Sequence, residues 1–363
     1  LELVAFVQPG QAEGTVSIAY GYGRSKAGKV AEGVGMNVFP FMKTEGDCRK
    51  AYITATAVTK TGKKYNLAST QTHHSMEGRD IVRETTLKEW QEKPNAGNEM
   101  HEEIEKNHQT LYKEIVYEGH HWGMSIDLNA CTGCSACVIG CQAENNVPVV
   151  GKEQVAMTRI MHWIRMDRYY SDDKANPSVY FQPVMCQHCD NAPCENVCPV
   201  SATNHSHEGL NQMAYNRCIG TKYCINNCPY KVRRFNWFRY ATNDAFDYNM
   251  NSDMGRMVLN PDVTVRERGV VEKCSFCVQR IQEKKLQAKL ENRPLADGEI
   301  QTACMQACPA GAIIFGDRNN TQAKLTDLIA DQRNYHLIEE IHTLPAVGYL
   351  TKVRNRDEEA AKA

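Results

Sequence analysis

The 363 residues are enough to bury more than one compact unit, and a net charge of −1 with a pI near 6.9 excludes the strongly basic surface of a nucleic-acid binder. Mean hydropathy is −0.52, and no run approaches the ~18 apolar residues of a membrane-spanning helix, so the chain reads as soluble or as held at a membrane by a partner. It begins with Leu1 rather than Met, which reads as a processed or truncated start with any export signal lying outside it.

Residues 1–70 alternate apolar and polar positions in short runs. Residues 1–6 read as a buried strand, and Thr15-Val16-Ser17-Ile18-Ala19 and 51–58 as further strands, with Gly10, Gly14, Gly21, Gly23, Gly28, Gly33 and Gly35 marking turns. Inside this region Gly23-Arg-Ser-Lys-Ala-Gly28-Lys29-Val30 nearly spells a phosphate-binding loop. Val30 stands where the magnesium-binding hydroxyl must be, so a turn is the better reading. Residues 71–121 are polar and charged. Helical pieces near 82–92 and 98–117, broken by Pro94-Asn95-Ala96-Gly97, make them an extended arm over other surfaces. His73-His74 and His120-His121 read as exposed loop histidines, and the chain has no Cys-x-x-Cys-His for a c-type haem. At the other end, 322–332 reads as a helix and 354–363 as a charged tail.

Of sixteen cysteines, Cys48 stands alone and reads as a buried free thiol, while the other fifteen fall in tight groups between Cys131 and Cys308. Local grouping is the pattern of metal ligands rather than of disulfides spread over a small secreted domain. The groups are Cys131-Thr-Gly-Cys134-Ser-Ala-Cys137-Val-Ile-Gly-Cys141; Cys186-Gln-His-Cys189 with Cys194 and Cys198-Pro199; Cys218-Ile-Gly-Thr221-Lys-Tyr-Cys224-Ile-Asn-Asn-Cys228-Pro229; and Cys274-Ser-Phe-Cys277 with Cys304-Met-Gln-Ala-Cys308-Pro309. Each varies the ferredoxin run C-x2-C-x2-C-x3-C-P. Two-residue gaps let a tight loop wrap an iron–sulfur cube. The following three residues begin a helix that carries the fourth cysteine to a neighbouring cluster, with proline tolerated in a first helical turn. One C-x2-C could serve zinc, but four such runs point to iron–sulfur chemistry.

Thr221 stands where the third run should have its second cysteine. Three sites of four thiolates and one of three account for all fifteen cysteines, so three [4Fe–4S] clusters and one [3Fe–4S] cluster are expected. The alternative at the short site is a fourth iron ligated by the Thr221 oxygen or by water. With fewer anionic ligands this site is expected to be the most oxidising of the four. Arg233-Arg234 with Phe235, Trp237 and Phe238 follow the third run; docking and ordinary packing of an insert are both open, and no role is assigned to them.

These runs resemble the four-cluster subunits of the molybdopterin oxidoreductase superfamily. Trp122-Gly-Met-Ser-Ile-Asp-Leu-Asn-Ala-Cys131, Glu144-Asn-Asn-Val-Pro-Val-Val-Gly151, Met161-His-Trp-Ile-Arg165, Asp167-Arg-Tyr-Tyr170 and Pro345-Ala-Val-Gly-Tyr-Leu-Thr-Lys-Val-Arg-Asn355 resemble the iron–sulfur B subunit of bacterial alternative complex III. Residues 7–37 are similar to the end of the molybdopterin-type domain that precedes the ferredoxin part in that family. The fold class implied is α+β: a β-rich remnant of that domain at 1–70, the arm at 71–121, a tandem bacterial-ferredoxin-like four-cluster domain at 122–320, and a C-terminal helix and tail at 321–363. The resemblance also implies the ligand sets. One cluster takes Cys131, Cys134, Cys137 and Cys308; another takes Cys274, Cys277, Cys304 and Cys141; a third takes Cys186, Cys189, Cys194 and Cys228. The three-iron cluster takes Cys198, Cys218 and Cys224, with Thr221 at its open corner.

No acid–base pair or nucleophile is positioned in the sequence, so electron transfer is the expected work. The resemblance implies a quinol-oxidising complex on the periplasmic side of the bacterial inner membrane. An integral-membrane quinol-binding subunit, c-type cytochrome subunits and a terminal oxidase would be partners, with no haem on this chain and no molybdenum cofactor. The alternative is the electron-transfer subunit of a molybdoenzyme such as a polysulfide- or dimethyl-sulfoxide-reductase-like complex. A third reading, clusters that only stabilise a scaffold, is disfavoured by the missing thiolate at Thr221.

Overall fold

The computed structural model describes residues 1–355 except 29, 51–56, 108, 112, 114, 172–176 and 247–252. Its frame is a four-stranded sheet in the order Ile313–Asp317, Trp122–Asp127, Val347–Leu350, Asn334–Tyr335. The strand Trp122–Asp127 runs antiparallel to Ile313–Asp317 and parallel to Val347–Leu350, so the first and last parts of the cysteine-rich region share one ladder. Trp122, Met124, Ile126, Phe315, Val347 and Tyr349 are each at most 2% exposed, and Ser125 between them is buried too. Both faces of the central strand are therefore covered, as a strand with a parallel neighbour requires.

Short antiparallel pairs hang from this frame: Arg165–Tyr170 with Val179–Val184, Thr203–His205 with Asn211–Met213, and Arg234–Phe235 with Val271–Glu272. The helices between them are small and mostly belong to the cysteine motifs: Ala136–Glu144, Pro193–Asn196, Tyr223–Asn227 and Ala303–Gln306. Ala136–Glu144 lies against Ala303–Gln306 at Gly140, where an added Cβ would come within 2.7 Å of the Ala307 methyl carbon. Glycine there is a packing requirement. The prolines do not sit in first turns as the motif suggested. Pro199, Pro229 and Pro309 each follow the end of a motif helix, where a residue without an N–H stops further winding.

The helix expected at 82–92 divides into a strand, Glu84–Thr86, and a helix, Leu87–Glu92. The strand forms because Lys352–Arg354 lies parallel beside it, a pairing that local propensity cannot foresee. Thr86 then caps the helix reciprocally with Glu89. The second helix is Glu99–Asn107 rather than 98–117, and 94–97 form a turn between the two. A buried ion pair clamps the arm down: Arg83 meets Glu339 at 2.5 Å, and His101 Nδ1 lies 2.8 Å from the same carboxylate. The C-terminal helix is Lys324–Ala330, inside the expected 322–332. Of the expected tail, 356–363 lie outside the described residues, and Arg354 is in the strand that pairs with Glu84–Thr86.

Residues 1–6 and 15–19 are not strands; Leu1, Phe6, Val7 and Val16 are all more than 60% exposed. Alternation makes a strand only where a ladder and a core receive it, and neither is offered here. Most of the run 51–58 lies outside the described residues. Among the described residues of 1–70 the only ladder is a hairpin of Lys43–Glu45 with Cys48–Lys50, so the β-rich expectation is not met there. This segment touches the cysteine-rich part at Gly151, whose added Cβ would meet Val30 at 3.1 Å, and where Lys152 Nζ lies 3.6 Å above the Tyr65 ring. Among the described residues no helix is long and apolar enough to cross a membrane.

Candidate iron–sulfur sites

Cysteines distant in sequence come within electrostatic reach of one another in four neighbourhoods, although among the described residues no three His, Cys, Asp or Glu side chains converge tightly enough to hold a single metal ion. In the first, burial and then the charges of Cys131, Cys308 and Cys134 push the Cys137 thiol up to about 11. In the second, Cys141 is raised by burial and by Cys274, Cys277 and Cys304; in the third, Cys189 is raised by burial and by Cys186, Cys228 and Cys194. In the fourth, Cys224 is raised by burial and faces Cys218 and Cys198. The four follow one another in line: Cys304 of the second feels Cys137 of the first, and Cys274 of the second feels Cys186 of the third. Arg233 then donates to Cys194 of the third and acts through its charge on Cys224 of the fourth. The interior of this line is buried and its ends reach the surface. Cys134 is exposed, Cys131, Cys308, Cys198 and Cys218 are half-buried, and Ile219 and Tyr223 beside the fourth group are more than half exposed.

The loops of the first and fourth groups share one backbone. Gly133 and Gly220 have φ of 69° and 74°, followed two residues on by Ser135 at 65° and Lys222 at 61°, each at the position just before the helix that starts next and without a side-chain cap bond. Thr221 thus occupies the place that Cys134 holds in the first loop, and both are exposed. Gly220 is required: its positive φ and the Gly269 carbonyl oxygen against its missing side chain exclude a Cβ. The second and third groups are joined differently. His188, between Cys186 and Cys189, stacks on Phe276, between Cys274 and Cys277, with ring centroids 3.8 Å apart; both residues have positive φ.

These surroundings suit clusters. Backbone N–H groups donate to sulfur from Ala202 to Cys198 (3.2 Å), Val271 to Cys218 (3.4 Å), Ala303 to Cys277 (3.4 Å) and Ala312 to Cys308 (3.4 Å). Donors aimed at sulfur are what thiolate-ligated clusters accept. In the interior, burial lifts Cys194 and Cys304 to about 11 and Cys277 to about 12, so thiolates there need a cationic partner such as iron. The buried cations make the complementary case. Arg233 is 2% exposed and Lys273 is 1% exposed, and among the described residues neither ion-pairs with a carboxylate. Arg233 Nη1 donates to Cys194 Sγ at 3.1 Å, and Lys273 Nζ donates to the carbonyls of Asn211 and, at 2.8 Å, Cys274. A buried charge needs a counter-charge, and anionic thiolate-bound clusters supply one.

Sequence reading left Arg233 without a role and passed over Lys273 and His188. The signal lay in position: Lys273 adjoins Cys274, and Arg233 lies five residues after Cys228 in a segment too charged for a core. Burial of Arg233 and Arg234 removes them from any docking face. His73 and His74 are exposed, whereas His120 and His121 are half-buried. His120 Nδ1 lies 2.6 Å from Asp317, and the His121 ring lies tilted against Tyr117 with centroids 4.1 Å apart. Among the described residues no helix follows the phosphate-loop-like stretch at 23–30. The Cys48 side chain lies outside the described residues.

Two family models, each described as a 4Fe-4S dicluster domain, match residues 130–202 and 177–245. Over 239 residues the chain is 40% identical to the iron–sulfur cluster-binding subunit of menaquinone reductase from Nitratidesulfovibrio vulgaris, covering 64% of this chain and 89% of that protein. It is 34% identical to a putative iron–sulfur B subunit of dimethyl sulfoxide reductase from Halobacterium salinarum, over 63% of this chain and 79% of the other. It is 31% identical to the first iron–sulfur subunit of the Hdr-like menaquinol oxidoreductase of Archaeoglobus fulgidus, over 65% and 85%.

Proposed function

The chain belongs to the family of tandem-dicluster, ferredoxin-like iron–sulfur subunits of quinone-linked and molybdopterin-oxidoreductase-type complexes, and from that membership we propose that it relays electrons between a quinone-reactive membrane subunit and a dimethyl-sulfoxide- or polysulfide-reductase-like partner. The relatives order the two readings of the sequence the other way round, because their names are those of menaquinone and dimethyl sulfoxide enzymes. The observation that carries the proposal is the line of four thiol neighbourhoods, buried in its middle and open at both ends.

In this reading Cys131, Cys134, Cys137 and Cys308 hold one [4Fe–4S] cluster. Cys141, Cys274, Cys277 and Cys304 hold the next, and Cys186, Cys189, Cys194 and Cys228 the third. Cys198, Cys218 and Cys224 hold a [3Fe–4S] cluster beside Thr221. When bound, the clusters supply one-electron chemistry. The chain's own residues fix their spacing, aim N–H groups at sulfur and set the local charge. A quinone is a membrane lipid, so the subunit is placed peripheral to the bacterial inner membrane through its partner.

The quinol-oxidising reading, alternative complex III with cytochrome partners on the periplasmic side, is favoured by one observation: residues before 71 lie against the cysteine-rich part at Gly151 and Lys152, as a fused remnant domain would. Metal analysis of the purified complex separates the two, since molybdenum belongs only to the first. Both require about 15 irons per chain and an EPR signal from an oxidised three-iron cluster. Stoichiometric zinc in place of iron would sink both.

A further inference from the structure

A buried cation stands between the third and fourth thiol groups. Arg233 immediately precedes the strand Arg234–Phe235, and its buried guanidinium stands on the third group within electrostatic reach of the fourth. Nη1 donates to Cys194 Sγ at 3.1 Å and lies 3.4 Å from Asn211 Oδ1; Nη2 approaches Met213 Sδ at 3.3 Å. The same group faces Cys224, Cys186 and Cys228, and Cys198 also feels its charge. Of the other cations near the third group, Arg165 is bound by Asp167 at 2.8 Å and Arg234 donates to the His162 carbonyl at 2.8 Å, while buried Lys273 acts on Cys194 from the side of the second group, where its Nζ donates to the Cys274 carbonyl at 2.8 Å. The second group has Lys273 beside Cys274 but lies away from Arg233, and its other neighbours are neutral or paired. Neutral Asn145 donates to Cys141 at 3.6 Å, Thr302 lies 3.2 Å from Cys304, and the nearby carboxylate is Glu144, itself held by Arg280.

We propose that Arg233 is a shared counter-charge that raises the reduction potentials of the third and fourth centres together and makes them a matched pair at one end of the relay. The inference rests on the four-cluster reading. Each centre takes up one electron, nothing leaves, and the reduced state carries one more negative charge. A fixed buried cation that donates to a ligand of the third centre and acts through its charge on Cys224 and Cys198 of the fourth favours reduction of both. Arg233 is a positioning and tuning residue and ligates no iron.

The test is an EPR-monitored redox titration of the intact complex with R233Q, R233K and wild type, alongside iron analysis. In R233Q two of the four midpoint potentials, one of them the three-iron centre's, should fall together while the other two stay in place. R233K, which keeps the charge and loses the fork, should leave all four near wild type. If R233Q loses iron, Met213→Glu decides: it sets a carboxylate against the guanidinium without removing it, and it should lower the same two midpoints relative to Met213→Gln. Full iron with four unmoved midpoints, or movement of one centre alone, overturns the shared role. A wild-type complex that lacks the four clusters overturns the cluster reading instead, whatever Arg233 does.

Discussion

Glu272→Gln is the most demanding test of how the relay is held in shape. Glu272 is 0% exposed and takes Arg266 Nε at 2.7 Å, Trp163 Nε1 at 3.2 Å and Asn236 Nδ2 at 2.8 Å. Arg266, its side chain 1% exposed, also donates to the carbonyls of Asn145 at 2.8 Å, Asn146 at 3.0 Å and Thr264 at 2.7 Å. The pair therefore ties the end of the helix bearing Cys137 and Cys141 to the strand that leads into Cys274. Breaking a buried pair by neutralising one partner costs about 3–5 kcal/mol. Three carbonyls continue to solvate Arg266, so the lower end applies, about 3 kcal/mol. At about 1.4 kcal/mol per decade that is roughly a hundredfold. Loss of clusters makes unfolding irreversible, so the assay is a rate: bleaching of the visible cluster absorbance of the intact complex in urea. The variant should bleach about a hundred times faster than wild type. Replacing both partners, Arg266→Met with Glu272→Leu, should recover part of the loss. A single variant that bleaches at the wild-type rate would refute the reasoning, because it would mean the guanidinium needs no counter-charge.

Thr221→Cys restores the thiolate that Cys134 supplies in the matching loop; the three-iron EPR signal should vanish and that centre's potential should fall, and an unchanged spectrum removes any role for Thr221. Gly220→Ala forces a Cβ into positive φ against a carbonyl, so the fourth site should load poorly while about twelve irons remain, as counted by iron analysis. The clamp on the arm should depend on pH. His101 is raised from 6.5, first by its hydrogen bond to Glu339, so its contribution is complete below 6.5 and is lost as pH rises through the folded value. Glu339 is lowered from 4.5 against the opposing effect of burial, by His101 and Arg83, and its contribution is lost as pH falls through its folded value. Protection of the Glu99–Asn107 amides relative to their intrinsic exchange rate should therefore be greatest between those limits and smaller at pH 8, and His101→Gln should flatten the profile.

Cysteine spacing and the gap at Thr221 are local facts, and they were readable. So were the break at 94–97 and the helix near 324–330, where proline, glycine and periodicity speak for themselves. The pairings that set the frame were not. Glu84–Thr86 finds its partner in Lys352–Arg354, and Trp122–Asp127 in both Ile313–Asp317 and Val347–Leu350, across most of the chain. Residues 1–6 and 15–19 carry the alternation of strands but have no partner, so the pattern alone misled. That the fourth cysteine of a run crosses to another group follows from the motif, whereas which runs pair could not be read from spacing and rested on the resemblance. Arg233 and Lys273 were hidden for another reason: a sequence records charge but not burial, and a lone basic residue among polar neighbours looks solvated until the fold encloses it.

The matched backbones at 131–137 and 218–224 give the molecule an internal reference. Two loops of the same shape stand in the first and fourth thiol groups, and at the second cysteine position of the motif they differ by a thiol exchanged for the hydroxyl and methyl of threonine. Measurements on one loop can be subtracted from those on the other within a single preparation, at one pH and one ionic strength. The residue of that subtraction reports the atom and its surroundings, free of the differences in fold and handling that separate one protein from the next.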